Sequence, residues 1–139
     1  MAEVSKITGL KTILKNLANR TERMAKRCEQ GLLVCGSILK RESQRRVPVD
    51  TGNLKASAYV RAKGRGFRTQ VFVGYSSAAP YALYVHEKVE MKWKGLPRKH
   101  GKGRYWDPQG RAQAKFLEGP ARELAPQFKK LLWSFMRIK

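Results

Sequence analysis

The sequence predicts an α+β fold with a long N-terminal amphipathic helix, a small antiparallel sheet and a C-terminal helix. Three observations carry this. Apolar or small residues recur at steps of three and four over residues 9–46. Strict alternation follows over residues 54–63, with a second short run at 69–75. A second helical stripe then runs from Leu117 to Phe135.

The first stripe is Leu10, Leu14, Leu17, Thr21, Met24, Cys28, Leu32, Cys35 and Leu39. Lys11, Lys15, Arg23, Lys26, Arg27, Lys40 and Arg41 occupy the opposite face. Thr8-Gly9 suits the start, with Thr8 as cap. Gly31 and Gly36 lie inside, each costing about 1 kcal/mol against Ala, so they mark a break, a bend or a close packing contact. The helix is therefore either continuous or jointed near residues 19–22 or 31–36. A helix packed on a sheet explains the stripe better than a coiled coil.

Val47-Pro48 ends the helix, because a residue before proline avoids helical angles. Residues 49–53 (Val-Asp-Thr-Gly-Asn) read as a turn. Leu54, Ala56, Ala58, Val60 and Ala62 then form one face of a strand, and Lys55, Ser57, Tyr59, Arg61 and Lys63 the other. Residues 63–66 (Lys-Gly-Arg-Gly) connect a hairpin. Val71, Val73 and Tyr75 give the second strand its apolar side. Pro80 to His86 is a short aromatic segment.

Residues 88–104 are a basic insertion in an expected single domain spanning residues 1–139. Its glycines and Pro97 make it irregular, and Arg104-Tyr105-Trp106 returns the chain to the sheet. Asp107-Pro108 and Gly119-Pro120 both fit helix starts with proline at the first helical position. Leu117, Ala121, Leu124, Phe128, Leu131, Leu132 and Phe135 make the last stripe, which Pro126 should kink.

Charge is the unusual feature. Thirty Lys and Arg face ten Asp and Glu, a formal net charge of +20. Residues 1–70 hold 16 basic and 5 acidic side chains, and residues 71–139 hold 14 and 5, so the excess is no detachable tail. A compact chain with this charge repels itself, and a polyanion or an acidic protein compensates. The basic insertion interleaves cations with Trp93, Tyr105 and Trp106, a composition that suits nucleic-acid backbones and stacking. Lys88, Lys92, Trp93, Lys94, Arg98, Lys99, Lys102 and Arg104 are its candidate DNA or partner contacts.

Little points to chemistry. Cys28 and Cys35 are seven apart on one helical face, about 10 Å along the axis, too far for a disulfide. They read as free thiols of a reducing compartment. His86 and His100 have no metal-ligand spacing, and no phosphate-binding glycine loop occurs. No signal-peptide core or membrane span is expected. Asp50-Thr51-Gly52 matches the short signature of aspartic proteases, but it follows an arginine-rich helix and lacks the flanking apolar strands of a retroviral-type enzyme. The simpler reading is a helix-to-strand turn in which Gly52 takes a positive φ. No catalytic residue, cofactor or metal site is expected.

Four blocks in order carry a resemblance. Residues 46–57 (Arg-Val-Pro-Val-Asp-Thr-Gly-Asn-Leu-Lys-Ala-Ser) resemble the "aPvDTGxLrxS" block of the small neck and tail-completion proteins of long-tailed double-stranded DNA phages. Residues 81–87 (Tyr-Ala-Leu-Tyr-Val-His-Glu) resemble that family's "YAxyvE" block, residues 116–121 (Phe-Leu-Glu-Gly-Pro-Ala) its "pFLxPAl" block, and Gly9-Leu10 its opening. Where that family has Gly and a short loop after the acid, this chain has Lys88 and the basic insertion.

The resemblance implies a structural virion protein that forms a ring at the head–tail junction, a hexamer before a dodecamer. It would join the capsid connector to the tail and let DNA pass. The implied partners are copies of itself, portal, adaptor or stopper proteins, and tail terminator or tail tube proteins, with non-specific contact to double-stranded DNA and no membrane. Pro48, Asp50, Thr51, Gly52 and Leu54 carry over only as a structural turn or subunit contact. A free-standing nucleic-acid-binding protein is the alternative class.

Overall fold

The computed structural model describes residues 9–90 and 112–137. Helix α1 (Leu10–Arg46) is unbroken over 37 residues, about 55 Å at the ordinary rise per residue. Helix α2 (Asn53–Ala56) is a single turn. Strands β1 (Ala58–Lys63) and β2 (Gln70–Tyr75) form an antiparallel hairpin, with a 3₁₀ turn at Gly66–Arg68 in the connection. Helix α3 (Ala82–Glu87) and helix α4 (Glu118–Met136) complete the order.

Neither interior glycine breaks α1; both are contacts. A Cβ at Gly31 would meet Leu132 and Phe135 of α4 at 3.1–3.2 Å. A Cβ at Gly36 would meet Val71 at 2.7 Å and Val60 at 3.0 Å. Five helical residues span about 140° of rotation beyond one full turn, so the two glycines face different directions. Helix α1 is thus held between α4 on one side and the hairpin on the other.

The hairpin register pairs Ala58 with Tyr75, Val60 with Val73 and Ala62 with Val71. Alternation therefore puts the expected apolar sides of both strands on the side facing α1. At the turn, a Cβ on Gly66 would lie 3.1 Å from Ala25, and the Gly66 N–H donates to Glu29 at 3.2 Å. The connection rests against the helix.

One expectation needs correction. The strand does not begin at residue 54. Gly52 takes φ 90°, and Ala56 and Ser57 donate to the carbonyls of Gly52 and Asn53, each at 2.9 Å, so the first residues make a helical turn. The short aromatic segment, for which the sequence offers no period, is helical: the Val85 N–H bonds the Tyr81 carbonyl, which turns Val85 inward and leaves Tyr84 outside. In α4, Pro120 lies in the first turn, where its missing N–H has no intrahelical acceptor to lose. The helix then continues through Pro126, which is exposed. Thr8, Tyr105-Trp106 and Asp107-Pro108 lie outside the described residues.

The core sits at the C-terminal end of α1. Val47, Leu54, Ala79, Val85 and Phe116 are buried together. The Phe116 ring meets Tyr75 and His86 edge-on, with centroids 5.2 and 4.9 Å away. Beside it, the hydroxyls of Ser43 and Tyr75 share a 2.6 Å hydrogen bond.

Burial pushes the Tyr75 phenol from 10.0 up to about 12. Its folded value exceeds the unfolded one, so its contribution is complete below pH 10 and is lost as pH rises toward 12. Tyr75→Phe should remove that alkaline step and leave buried Ser43 Oγ without its partner, at a cost of about 1–3 kcal/mol. Urea denaturation across pH, with phenolate absorbance, checks both parts. All five tyrosines ionising near pH 10 with the fold intact would contradict the assignment.

Candidate functional site

The Asp-Thr-Gly segment is built as a turn between α1 and α2. Val47 donates to the Ser43 carbonyl and leaves the helix at φ −71°, ψ 127°. Pro48 is buried and Asp50 half-buried. Thr51 is exposed, and its Oγ1 accepts a long 3.5 Å bond from the Asn53 N–H. Gly52 caps α2, and a Cβ there would meet nothing; the positive φ, not crowding, calls for glycine. Leu54 is buried in the chain's own core. The turn thus aims its apolar residues inward and presents Thr51.

Polar contacts clamp the pieces around this turn. Arg46 holds Glu123 of α4 through two bonds of 2.9 and 2.6 Å, the bidentate geometry of a strong guanidinium–carboxylate pair. Arg46 holds that carboxyl below its usual range. The Gln113 N–H donates to the Arg46 carbonyl at the end of α1. Lys115 bonds Glu87 at 2.5 Å and Glu118 at 3.2 Å, and Glu87 also meets His86 Nδ1 at 2.9 Å. Lys115, then His86, pulls the Glu87 carboxyl below its ordinary range. The Lys115 N–H also donates to the His86 carbonyl at 2.7 Å. These groups join α3 to the start of α4 at an exposed edge, so their effect is mainly positional.

The exposed surface is more distinctive. The apolar stripe of α1 has two fates. From Met24 onward it packs on α4 and the hairpin, whereas residues 9–23 are exposed throughout. Leu10, Ile13, Leu14 and Leu17 are 48–62% exposed. The basic face is where the helical pattern put it, with Lys11, Lys15, Arg23 and Arg27 exposed.

A second basic surface lies on the hairpin. Arg61, Lys63, Arg65 and Arg68 are exposed, with Phe67 and Phe72 exposed among them. The Arg61 guanidinium stands 4.9 Å from the Tyr59 ring centroid. No acid occurs from Thr51 to His86. The absence of acids and the hairpin turn were readable in the sequence, but the exposure of Phe67 and Phe72 among these cations required the fold.

The family model described as "Bacteriophage HK97-gp10, putative tail-component" matches residues 11–86. The match spans α1, the Asp-Thr-Gly turn, the hairpin and nearly all of α3. The chain belongs to the HK97-gp10-like family. No curated protein and no solved structure matches it.

The HK97-gp10-like match makes the chain a phage tail component, and so a virion protein that works among other virion proteins. The matched span contains the block at residues 46–57 and all but the last residue, Glu87, of the block at 81–87. Phe116 and α4 lie beyond it, although Phe116 fills the core that the matched residues build. Of the basic insertion, Lys88 is exposed, its Nζ 4.6 Å from the Tyr84 ring centroid. Lys92, Trp93, Lys94, Arg98, Lys99, Lys102 and Arg104 lie outside the described residues.

Cys28 and Cys35 are free, and burial pushes the Cys35 thiol up, away from the reactive thiolate. Among the described residues, no three metal-ligating side chains gather and no helix is long and apolar enough to cross a membrane.

Proposed function

We propose that this chain is a structural protein of the neck end of the phage tail. It forms a ring at the head–tail junction, joins the capsid connector to the tail and lets the genome pass, acting by binding and not by catalysis. One observation carries the reading: the N-terminal part of α1 extends past the packing of the described residues with its apolar stripe exposed. A stripe of this kind marks a protein interface. Family membership supplies the setting. The Asp-Thr-Gly segment serves as a turn, since it leads into α2 and Leu54 goes into the core.

The basic surfaces give the ring a means of passing DNA without sequence preference. Phosphate contacts release counterions, so the chain's affinity for duplex DNA should fall steeply between about 50 and 200 mM salt. Electron microscopy of labelled virions tests the placement. A ring between capsid and tail is the expected result. A chain that stays monomeric and is absent from virions overturns it. A monomer or dimer with DNA or RNA affinity would then favour the free-standing nucleic-acid-binding class.

A further inference from the structure

The outer side of the hairpin carries two exposed phenylalanines that passage of duplex DNA does not use. Val60, Val71 and Val73 point at Gly36 of α1. Alternation therefore sends Tyr59, Arg61, Lys63 and Phe72 to the opposite face. Arg61 stands across the ladder from Phe72, which is 49% exposed. Arg65, Phe67 and Arg68 follow in the connection at the end of this face, all exposed, Phe67 at 54%.

The neighbours of the face hold it in shape. Gly74 lies inside β2, where a missing side chain weakens a strand. A Cβ there would stand 3.1 Å from the Tyr59 hydroxyl, so glycine lets the Tyr59 ring lie across the neighbouring strand. The Arg61 guanidinium stands over that ring, 4.9 Å from its centroid, and is held on the face. Helix α1 supports the connection at Ala25 and through Glu29, which accepts from the Gly66 N–H at 3.2 Å.

Charge selects the partner. Among the described residues, Arg61, Lys63, Arg65 and Arg68 have no acidic partner. Residues 51–86 contain no Asp or Glu, and Glu29 alone does not balance four cations. Such a cluster attracts a polyanion. The bases of a duplex are stacked inside it and leave the phenylalanines unused. Unpaired bases offer open π-faces to exposed aromatic rings, while cations follow the phosphates. A protein partner would need more room. Two strands of six residues cover about 20 Å by 10 Å, roughly a quarter of what one partner buries in a standard interface.

We infer that the outer face of the hairpin binds single-stranded nucleic acid without sequence preference. Phe67 and Phe72 stack on bases, and Arg61, Lys63, Arg65 and Arg68 hold phosphates. This site goes beyond the ring reading and does not depend on it.

Fluorescence anisotropy of the full chain tests it, with labelled oligo-thymidine, labelled oligo-uridine and a DNA duplex of equal length as probes. Phe67→Gln with Phe72→Thr should weaken single-strand binding at least about fivefold, the effect of one lost stacked base, and leave duplex binding unchanged. Phe67→Tyr with Phe72→Tyr should keep the wild-type affinity for every probe. Both positions are exposed and Thr suits a strand, so circular dichroism and Tm should hold. Arg61→Gln with Lys63→Gln should lower the log–log salt slope of single-strand binding by about 1.4. A response of the thymidine probe alone would make the ligand DNA, and of the uridine probe alone RNA.

Equal losses on single strands and duplex, or no loss on either, overturn the site, as does a tyrosine variant that binds no better than the Gln/Thr one. Variants that bind every probe like the wild type yet fail to enter virions would assign the face to an acidic virion protein instead. A ring found in virions beside a chain whose single-strand binding ignores Phe67 and Phe72 keeps the ring reading and removes this site. Stacking-dependent binding by a chain absent from virions does the reverse.

Discussion

Phe116→Ala should destabilise the fold by about 3–5 kcal/mol, the range for emptying a buried aromatic site. The side chain is 1% exposed and touches the elements that meet at the end of α1. Its ring also fixes Tyr75 and His86 edge-on. Against a domain stability of about 5–15 kcal/mol, this is a large share. Calorimetry should place Tm about 10 °C or more below the wild type. Phe116→Leu should recover much of the loss, since it refills most of the volume. A change under about 1 kcal/mol in the alanine variant would mean that the core closes without this residue.

Gly36→Leu should cost about 1–3 kcal/mol through overpacking. Even a Cβ there would sit 2.7 Å from Val71 and 3.0 Å from Val60. Both neighbours are β-branched and stiff at χ1, so the hairpin backbone must retreat from the helix. Gly31→Ala is the matched control. Its Cβ would meet Leu132 and Phe135 side chains at 3.1–3.2 Å. Leu132 can adjust, the contact with the Phe135 Cβ needs α4 to give by a few tenths of an ångström, and removing a helical glycine gains about 1 kcal/mol to offset it. That variant should therefore stay near wild-type stability. Urea denaturation of the pair separates the sites, and equal stability of Gly36→Leu and wild type would refute the close helix–hairpin contact.

The long helix, both strands and the C-terminal helix were legible because each follows a local period. The strand boundary was not. Leu54 and Ala56 fit an alternating pattern, yet Gly52 at φ 90° starts a helical turn there. A few residues of alternation also fit one turn of helix, and tertiary packing chose between them. The form of Tyr81 to His86 was not legible either: the segment is too short for a period to show, and burial of Val85 in the core decides it.

The candidate site divides along similar lines. The Asp-Thr-Gly turn was readable because glycine before a helix and proline after one act through local backbone sterics. Pro48 and Leu54 were named with it, and the fold buries both. The hairpin read in the sequence already gathers Arg61, Lys63 and Arg65, whereas the exposure of Phe67 and Phe72 beside them was hidden, since it depends on what packs nearby.

By itself the sequence determined the order of long helix, hairpin and C-terminal helix, the basic excess and the block pattern of a phage tail component. Periodicity and charge are properties of neighbours along the chain, so they need no fold to be counted. Only the tertiary structure decided how far the α1 stripe is covered. The sequence shows one uninterrupted stripe from Leu10 to Leu39, with no mark where its partners stop. Among the described residues, the hairpin connection meets α1 at Ala25 and the residue after α4 meets it at Arg27, while Leu10, Ile13, Leu14 and Leu17 stay exposed. Burial depends on where distant segments end in space, and no local pattern records that.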